Sequence, residues 1–166
     1  MTLAYEGRVL ALAPNTRGVG FVLFQDETTP LDWGVKEVRH DKNAECLRKA
    51  KTLMRRFRPD VIVLEHGTAP GSRRSKRVRK LLTLIAISAR RQGIEVCRYP
   101  RLRVRKRFSV FGVGSKDDMA AGVAAMLPAL GPRLPRRRKP WESEHYGMAI
   151  FEAAALGITH FAEQRR

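Results

Sequence analysis

One short apolar run constrains the fold more than any other segment. Val61–Glu65 reads VIVLE, four consecutive branched apolar residues that end in a carboxylate. A strand that is apolar on both faces must be covered on both sides, which is typical of parallel strands in α/β proteins. The run therefore predicts a central strand with helices on both faces of its sheet, and it places Glu65 at the C-terminal end of that strand.

The flanking segments supply the rest of an α/β architecture. Three earlier strands are predicted as an antiparallel meander, and a fifth strand follows later: Arg8–Ala13, Gly18–Phe24, Leu31–Val38 and Ile94–Tyr99. Apolar spacing predicts these helices: Asn43–Phe57, Ser72–Gln92, Val104–Phe111, Lys116–Leu127 and Glu142–Phe161. Ser115 is placed to cap the fourth helix, and the proline-rich segment Pro128–Pro140 is predicted to be a loop. The 166 residues suit one domain with a mixed five-stranded sheet.

Positive charge is concentrated in one part of the chain. Residues 73–140 hold 20 of the 33 Lys and Arg but three of the 16 Asp and Glu, whereas the remainder carries equal numbers of both signs. Solvated helix faces normally mix the two signs, so a phosphate-binding surface is the favoured interpretation. The candidate nucleic-acid contacts lie in three clusters and at the start of the fourth helix: Arg73, Arg74, Lys76, Arg77, Arg103, Arg105, Lys106, Arg107, Lys116, Arg136, Arg137, Arg138 and Lys139.

Several other classes of protein are disfavoured by the sequence. The chain contains no run of about 18 apolar residues, so no membrane span is expected, and Met1–Gly7 lacks the apolar core of a signal peptide. Cys46 and Cys97 stand alone, which suggests neither a disulfide framework nor a zinc ribbon. These features together favour a protein of the reducing cytoplasm.

Two carboxylates are candidates for chemistry because their surroundings are apolar. Glu65 ends a buried strand, and Glu152 lies in a helix that is otherwise apolar. A buried carboxylate is costly unless it is paired or metal-bound, and turning toward solvent or pairing with an arginine are the alternatives. His145, Ala149 and Glu152 are predicted to share one helical face, since they are spaced at i, i+4 and i+7. Glu144, the residue before His145, is a further candidate carboxylate.

The order of these segments resembles the RuvC-type Holliday junction resolvases of the ribonuclease H-like superfamily. Four motifs carry the resemblance, in order and over nearly the whole chain: Ala13–Gly20, Val61–Glu65, Val104–Lys116 and Ala149–His160. The resemblance implies a ribonuclease H-like fold and the binding and cleavage of branched DNA in recombination and repair. It also implies a homodimer of bacterial or phage type, near the nucleoid. Mg²⁺ or Mn²⁺ would be held by Glu65 and Glu152, with Lys116, Glu144 and His145 as further catalytic candidates.

The chain departs from the family pattern at two positions. Alanine stands at Ala13 and Ala149, where the family has acids. Three functions stay open: a nuclease with rearranged acids, an inactive module that binds nucleic acid, and a basic protein that binds structured RNA. The last is disfavoured because the chain lacks the aromatic pattern of RNA-binding sheets.

Two structural expectations accompany this resemblance. Glu65 and Glu152 should converge beside Ala13 with a metal or a basic side chain between them, because two close carboxylates repel. The homodimer should form through apolar residues of the second helix: Leu81, Leu82, Leu84, Ile85 and Ile87.

Overall fold

A mixed sheet forms the centre of the molecule. The computed structural model describes residues 7–112 and 114–166, so most of Met1–Gly7 and Val113 of the third motif lie outside the described residues. Within that part, the strands are β1 (Val9–Pro14), β2 (Gly18–Asp26), β3 (Thr29–Glu37), β4 (Val61–Glu65) and β5 (Glu95–Tyr99). Their order is β3-β2-β1-β4-β5. The first three are antiparallel, whereas β4 runs parallel to both β1 and β5. The predicted five-stranded mixed sheet is confirmed.

Helices cover both faces of this sheet, as predicted. They are α1 (Lys42–Phe57), α2 (Lys76–Arg91), α3 (Arg101–Phe108), α4 (Lys116–Met126) and α5 (Met148–Gln164), with short 3-10 turns at Ser109–Phe111 and Pro128–Arg133. One apolar core lies between the sheet and α1 and α2, and a second lies between the sheet and α3, α4 and α5. No helix in the described ranges is both long and apolar enough to cross a membrane.

The alternation of side chains along β4 decides where its carboxylate lies. Ile62 and Leu64 belong to the core under α1 and α2, whereas Val61 and Val63 belong to the core under α5. Successive strand residues point to opposite faces, so Glu65 lies on the α5 face. The same alternation along β1 places Ala13 on that face.

A glycine on β2 allows α5 to lie close to the sheet. A Cβ atom at Gly20 would collide with the backbone carbonyl and the side chain of Ala149. Gly20 is also the β2 partner of Ala13 in the β1–β2 pairing. The strand positions next to the candidate site therefore pack directly against the N-terminal part of α5.

Two helices begin later than the sequence predicts. α2 begins at Lys76 rather than Ser72, because the Ser75 hydroxyl accepts a hydrogen bond of 3.3 Å from the Val78 amide and caps the helix there. α5 begins at Met148 rather than Glu142, so the predicted helical face that included His145 is wrong. His145 precedes the helix, and its Nδ1 accepts a 3.0 Å hydrogen bond from the Gly147 amide.

Most of the predicted dimer contacts are core residues. Leu81, Leu82 and Ile85 are at most 4% exposed and pack against the sheet, so the prediction that they form an interface between copies is wrong. Leu84 and Ile87 lie on the outer side of α2, where Ile87 is exposed and Leu84 is half-buried.

A buried histidine on α5 should make stability depend on pH. The Tyr99 hydroxyl and His160 Nδ1 share a hydrogen bond of 2.8 Å. Burial raises the pKa of Tyr99 to about 12, so Tyr99 stays neutral. Burial also lowers the pKa of His160 below 6.5, and the charge of Glu95 opposes this shift. Below about pH 6.5 the unfolded chain therefore binds a proton that the folded chain refuses.

We expect His160→Gln to flatten the pH dependence of stability. In the wild type, His160 contributes a fall in unfolding free energy as pH drops below about 6.5, by at most about 1.4 kcal/mol per pH unit for one proton. Urea unfolding of both proteins at several pH values measures the difference, since other groups contribute equally to both. Parallel stability curves between pH 7 and pH 5 would contradict this expectation.

Candidate functional site

The two candidate carboxylates converge at the C-terminal end of β4. Glu65 and Glu152 are 8% and 7% exposed, and both contact the guanidinium of Arg74. Arg74 Nε donates to Glu65 Oε2 at 2.9 Å and Nη2 donates to Glu65 Oε1 at 3.3 Å. The same Nη2 lies 3.5 Å from Glu152 Oε2. A basic side chain therefore lies between the carboxylates, which is one of the two arrangements expected from the sequence.

A second cation completes the charge compensation of Glu152. Lys116, the first residue of α4, places Nζ 2.6 Å from Glu152 Oε1 and 2.8 Å from Glu144 Oε1. The five side chains form an alternating series that we call the ion-pair chain: Glu65, Arg74, Glu152, Lys116 and Glu144. Cations alternate with carboxylates along this series, so each carboxylate is next to a positive charge.

The two cations remain charged in this setting. Burial acts to lower the pKa of Arg74, but the neighbouring charge of Glu152 and the hydrogen bonds and charge of Glu65 more than offset it, and the pKa rises. The pKa of Lys116 rises for the same reason, since Glu152 and Glu144 outweigh the effect of burial. Both side chains therefore act as fixed positive charges at the site.

The first strand and the last helix contribute methyl groups instead of carboxylates. Ala13 is 2% exposed at the end of β1, and Ala149 is fully buried one helical turn before Glu152. Ala13 belongs to the apolar core beneath α5, and Ala149 packs against Gly20 of β2. The positions at which the resemblance expects acids therefore add no oxygen ligands to the site.

The residues present do not fit the divalent metals that the resemblance implies. Mg²⁺ demands near-octahedral oxygen ligation, and two-metal sites hold the ions about 4 Å apart, around the reacting oxygens. Among residues 7–112 and 114–166, no group of three or more His, Cys, Asp or Glu is arranged to hold a metal ion. The guanidinium of Arg74 instead lies between Glu65 and Glu152. This donor set matches two carboxylates neutralised by cations.

A pocket opens beside the ion-pair chain and gathers two of the basic clusters. Its charged lining consists of four cations, Arg74, Arg101, Arg105 and Lys116, and three carboxylates, Glu65, Asp118 and Glu152. Its apolar lining is Val104, Phe108, Met119 and Leu156. Burial lowers the pKa of Arg101, and so do the positive charges of Arg105, Arg73 and Arg74. Such mutual repulsion shows that cations of the two clusters lie close together. An anion placed in this pocket would relieve that repulsion.

The third basic cluster lies on the loop that leads into α5. Arg136 pairs with Glu142 at 2.9 Å, and Arg137 pairs with Asp118 of α4 at 2.6 Å. Asp118 also lines the pocket, so the loop borders the candidate site. Arg138 and Lys139 are exposed.

Some predicted phosphate contacts are engaged within the protein. Arg77 donates to Asn43 Oδ1 at 2.9 Å and to the Asn15 carbonyl at 3.2 Å. Arg103 lies 3.6 Å from Glu163. Arg73, Lys76 and Lys106 are exposed, and Arg107 is half-buried. Their roles in binding stay predictions.

Two features near the site were not predicted from the sequence. Arg74, a predicted phosphate contact, lies between the carboxylates. Trp141 is 79% exposed and is separated from the third basic cluster by Pro140 alone. The dipeptide Pro140–Trp141 following four consecutive basic residues was the available signal. His145 contacts neither cation of the ion-pair chain and instead stacks on Tyr146, with ring centroids 4.6 Å apart.

Comparisons with solved structures identify the fold. Thermus thermophilus RuvC in complex with its Holliday junction substrate superposes with a TM-score of 0.67 at 18% identity, covering 96% of this chain and 95% of that one. The yeast mitochondrial Holliday junction resolvase Ydc2 gives 0.59 at 15% identity, covering 98% and 84%. Fowlpox virus resolvase, solved with substrate Holliday junction DNA, gives 0.54 at 14% identity, covering 93% and 99%. No family model and no curated protein sequence matches the chain. The predicted ribonuclease H-like fold of the RuvC type is thus confirmed.

Proposed function

We propose that this chain binds branched DNA, such as Holliday junctions, through a RuvC-like fold whose acidic site is closed by cations. The observation that carries the proposal is the position of Arg74 between Glu65 and Glu152. Arg101 and Arg105 open onto the same pocket. Arg74 and Lys116 thus contact the carboxylates that, by the resemblance, would bind metal ions.

Electrostatics supports the binding part of this proposal. The chain carries a net charge of +17, and its excess lies in residues 73–140, which supply Arg74, Arg101, Arg105 and Lys116 to the pocket. Neutralising DNA phosphates releases condensed counterions, which is the main source of affinity for basic proteins. Solved proteins of the same fold hold Holliday junction DNA. A branched polyanion therefore suits both the charge and the fold.

The ion-pair chain argues against metal-dependent cleavage. A rearranged active site would need Glu65, Glu152 and either Glu144 or His145 as ligands. Glu144 and Glu152 are both bound by Lys116, and His145 lies outside α5. A divalent cation would have to displace two fixed positive charges to reach these oxygens. We propose a binding module rather than a nuclease.

A two-fold homodimer is part of the proposal, because a four-way junction presents two equivalent strands to a symmetric pair. Ile87 and Leu84 on the outer side of α2 are the apolar residues that remain available there. They are too few for a stable interface of about 800 Å² per partner, so junction arms would help to hold the two copies together.

Competition binding tests the proposed function. We expect a labelled four-way junction in EDTA to resist displacement by linear duplex. Its affinity should be roughly tenfold higher or more, because a protein that recognises the shape of the junction contacts several arms at once. Light scattering of the complex should count two copies. Equal competition by duplex of matched length would indicate nonspecific binding, and stronger competition by structured RNA would favour the RNA-binding alternative.

A further inference from the structure

An exposed tryptophan lies on the loop that borders the pocket. Trp141 is 79% exposed, although tryptophan buries more apolar surface than other side chains when it packs in a core. Three residues further on, Glu144 contacts Lys116 of the ion-pair chain. Three residues of extended chain span at most about 11 Å. The Cα atom of Trp141 therefore lies within about 11 Å of the Cα atom of Glu144.

The surroundings of Trp141 carry positive charge. Four basic residues, Arg136–Lys139, precede it, and Lys139 Nζ lies 5.6 Å from the centre of its ring. Pairs of Arg136 with Glu142 and of Arg137 with Asp118 fix the loop on both sides of the ring. A hydrophobic protein partner would have to bury the exposed cations Arg138 and Lys139, whereas a nucleic acid would neutralise them.

Aromatic rings in a basic groove are suited to unpaired bases. Stacking of a base on an aromatic side chain is favourable for every base, because each has a π face. In an intact duplex the bases already stack on one another, whereas at a branch point this stacking is interrupted. Two further rings, His145 stacked on Tyr146, follow Trp141 in the same loop.

We propose that Trp141 stacks on an unpaired or unstacked base at the branch point of the bound DNA, while the neighbouring cations hold its phosphates. This inference rests on the proposed function. It adds that the protein recognises the unpaired or unstacked bases at the branch point. Because Trp141 is mostly exposed, its side chain contributes to DNA binding rather than to stability. Its replacement should therefore leave the melting temperature of the protein unchanged.

Tryptophan fluorescence tests this directly. The chain has two tryptophans, and Trp33 packs partly buried against the core, so Trp33→Phe leaves Trp141 as the only reporter. We expect a four-way junction and a single-stranded oligonucleotide to quench Trp141 at saturation, and a linear duplex to quench it much less. Trp141→Ala should weaken junction binding by about fivefold or more, with duplex binding unchanged and partial rescue by Trp141→Tyr.

The matched control removes an exposed apolar side chain elsewhere. Leu31 on β3 is 42% exposed, and Leu31→Ala should leave junction affinity unchanged. Full, salt-sensitive junction binding without a fluorescence change would overturn the stacking proposal and leave the proposed function intact. Loss of self-association in Trp141→Ala with unchanged DNA affinity would overturn it in favour of a protein contact. Failure to bind junctions at all would overturn both.

Discussion

Raising the salt concentration from about 50 mM to about 200 mM is expected to weaken junction binding roughly a thousandfold. This follows if about six phosphates are neutralised, because each one releases counterions whose return is favoured at higher salt. Titration of a labelled junction at four or more salt concentrations gives the slope of log K against log salt. A flat salt dependence would rule out the phosphate-binding surface.

The arginines of the pocket should account for part of that slope. Replacing Arg101 and Arg105 with alanine is expected to reduce the slope by about two and to weaken binding at low salt. The control replaces Arg90 and Arg91, which are exposed at the far end of α2. That helix has 16 residues, so its end lies about 24 Å from its start beside Arg74. Equal losses in the two double variants would place the DNA outside the pocket.

Replacing Arg74 with methionine is expected to lower the free energy of unfolding by about 3 kcal/mol, because it leaves two buried carboxylates without their shared cation. Its side chain is 22% exposed, and those of Glu65 and Glu152 are 10% and 7% exposed, so water compensates little. Chemical denaturation measures the change.

A double-mutant cycle separates this electrostatic effect from the loss of packing. Adding Glu65→Gln to Arg74→Met should recover part of the lost stability, because Glu65 loses its cation of the ion-pair chain whereas Glu152 keeps Lys116. The control is Arg137→Met, which removes an exposed arginine from its pair with Asp118 and should change stability little. Additive losses for Arg74 and Glu65 would show that the two side chains act independently.

The central strand and its carboxylate could be predicted because they depend on local pattern. Val61–Glu65 is a strand with the predicted bounds, since a short apolar run that ends in a charge has few other places in an α/β fold. The side of the sheet on which Glu65 lies then follows from strand alternation. Glu152 could be predicted from its apolar neighbours on α5.

The identity of the group between the carboxylates could not be predicted, because it depends on where α2 begins. The predicted helix begins at Ser72, whereas the structure caps it at Ser75. Capping by Ser75 leaves Arg74 in the preceding loop, where it folds back onto Glu65. A cap at Ser72 would have placed Arg74 in the first helical turn.

The start of α5 also depends on a local contact that the helical spacing does not show. Helical spacing extends back to Glu142, but α5 begins only after Gly147. A hydrogen bond from the Gly147 amide to His145 Nδ1 stabilises a turn at that point. Glu144 still reaches the site, through Lys116 rather than through a shared helical face.

The most direct test of the central claim measures binding and cleavage on the same junction. Saturating protein is incubated with a labelled four-way junction in EDTA, in Mg²⁺ and in Mn²⁺, and each sample is divided between a native and a denaturing gel. With Arg74 and Lys116 in place of metal ions, the bound fraction in EDTA should match that in either metal at equal ionic strength, and every strand should stay intact. Metal-dependent nicks at symmetric positions, abolished by Glu65→Gln, would contradict the account.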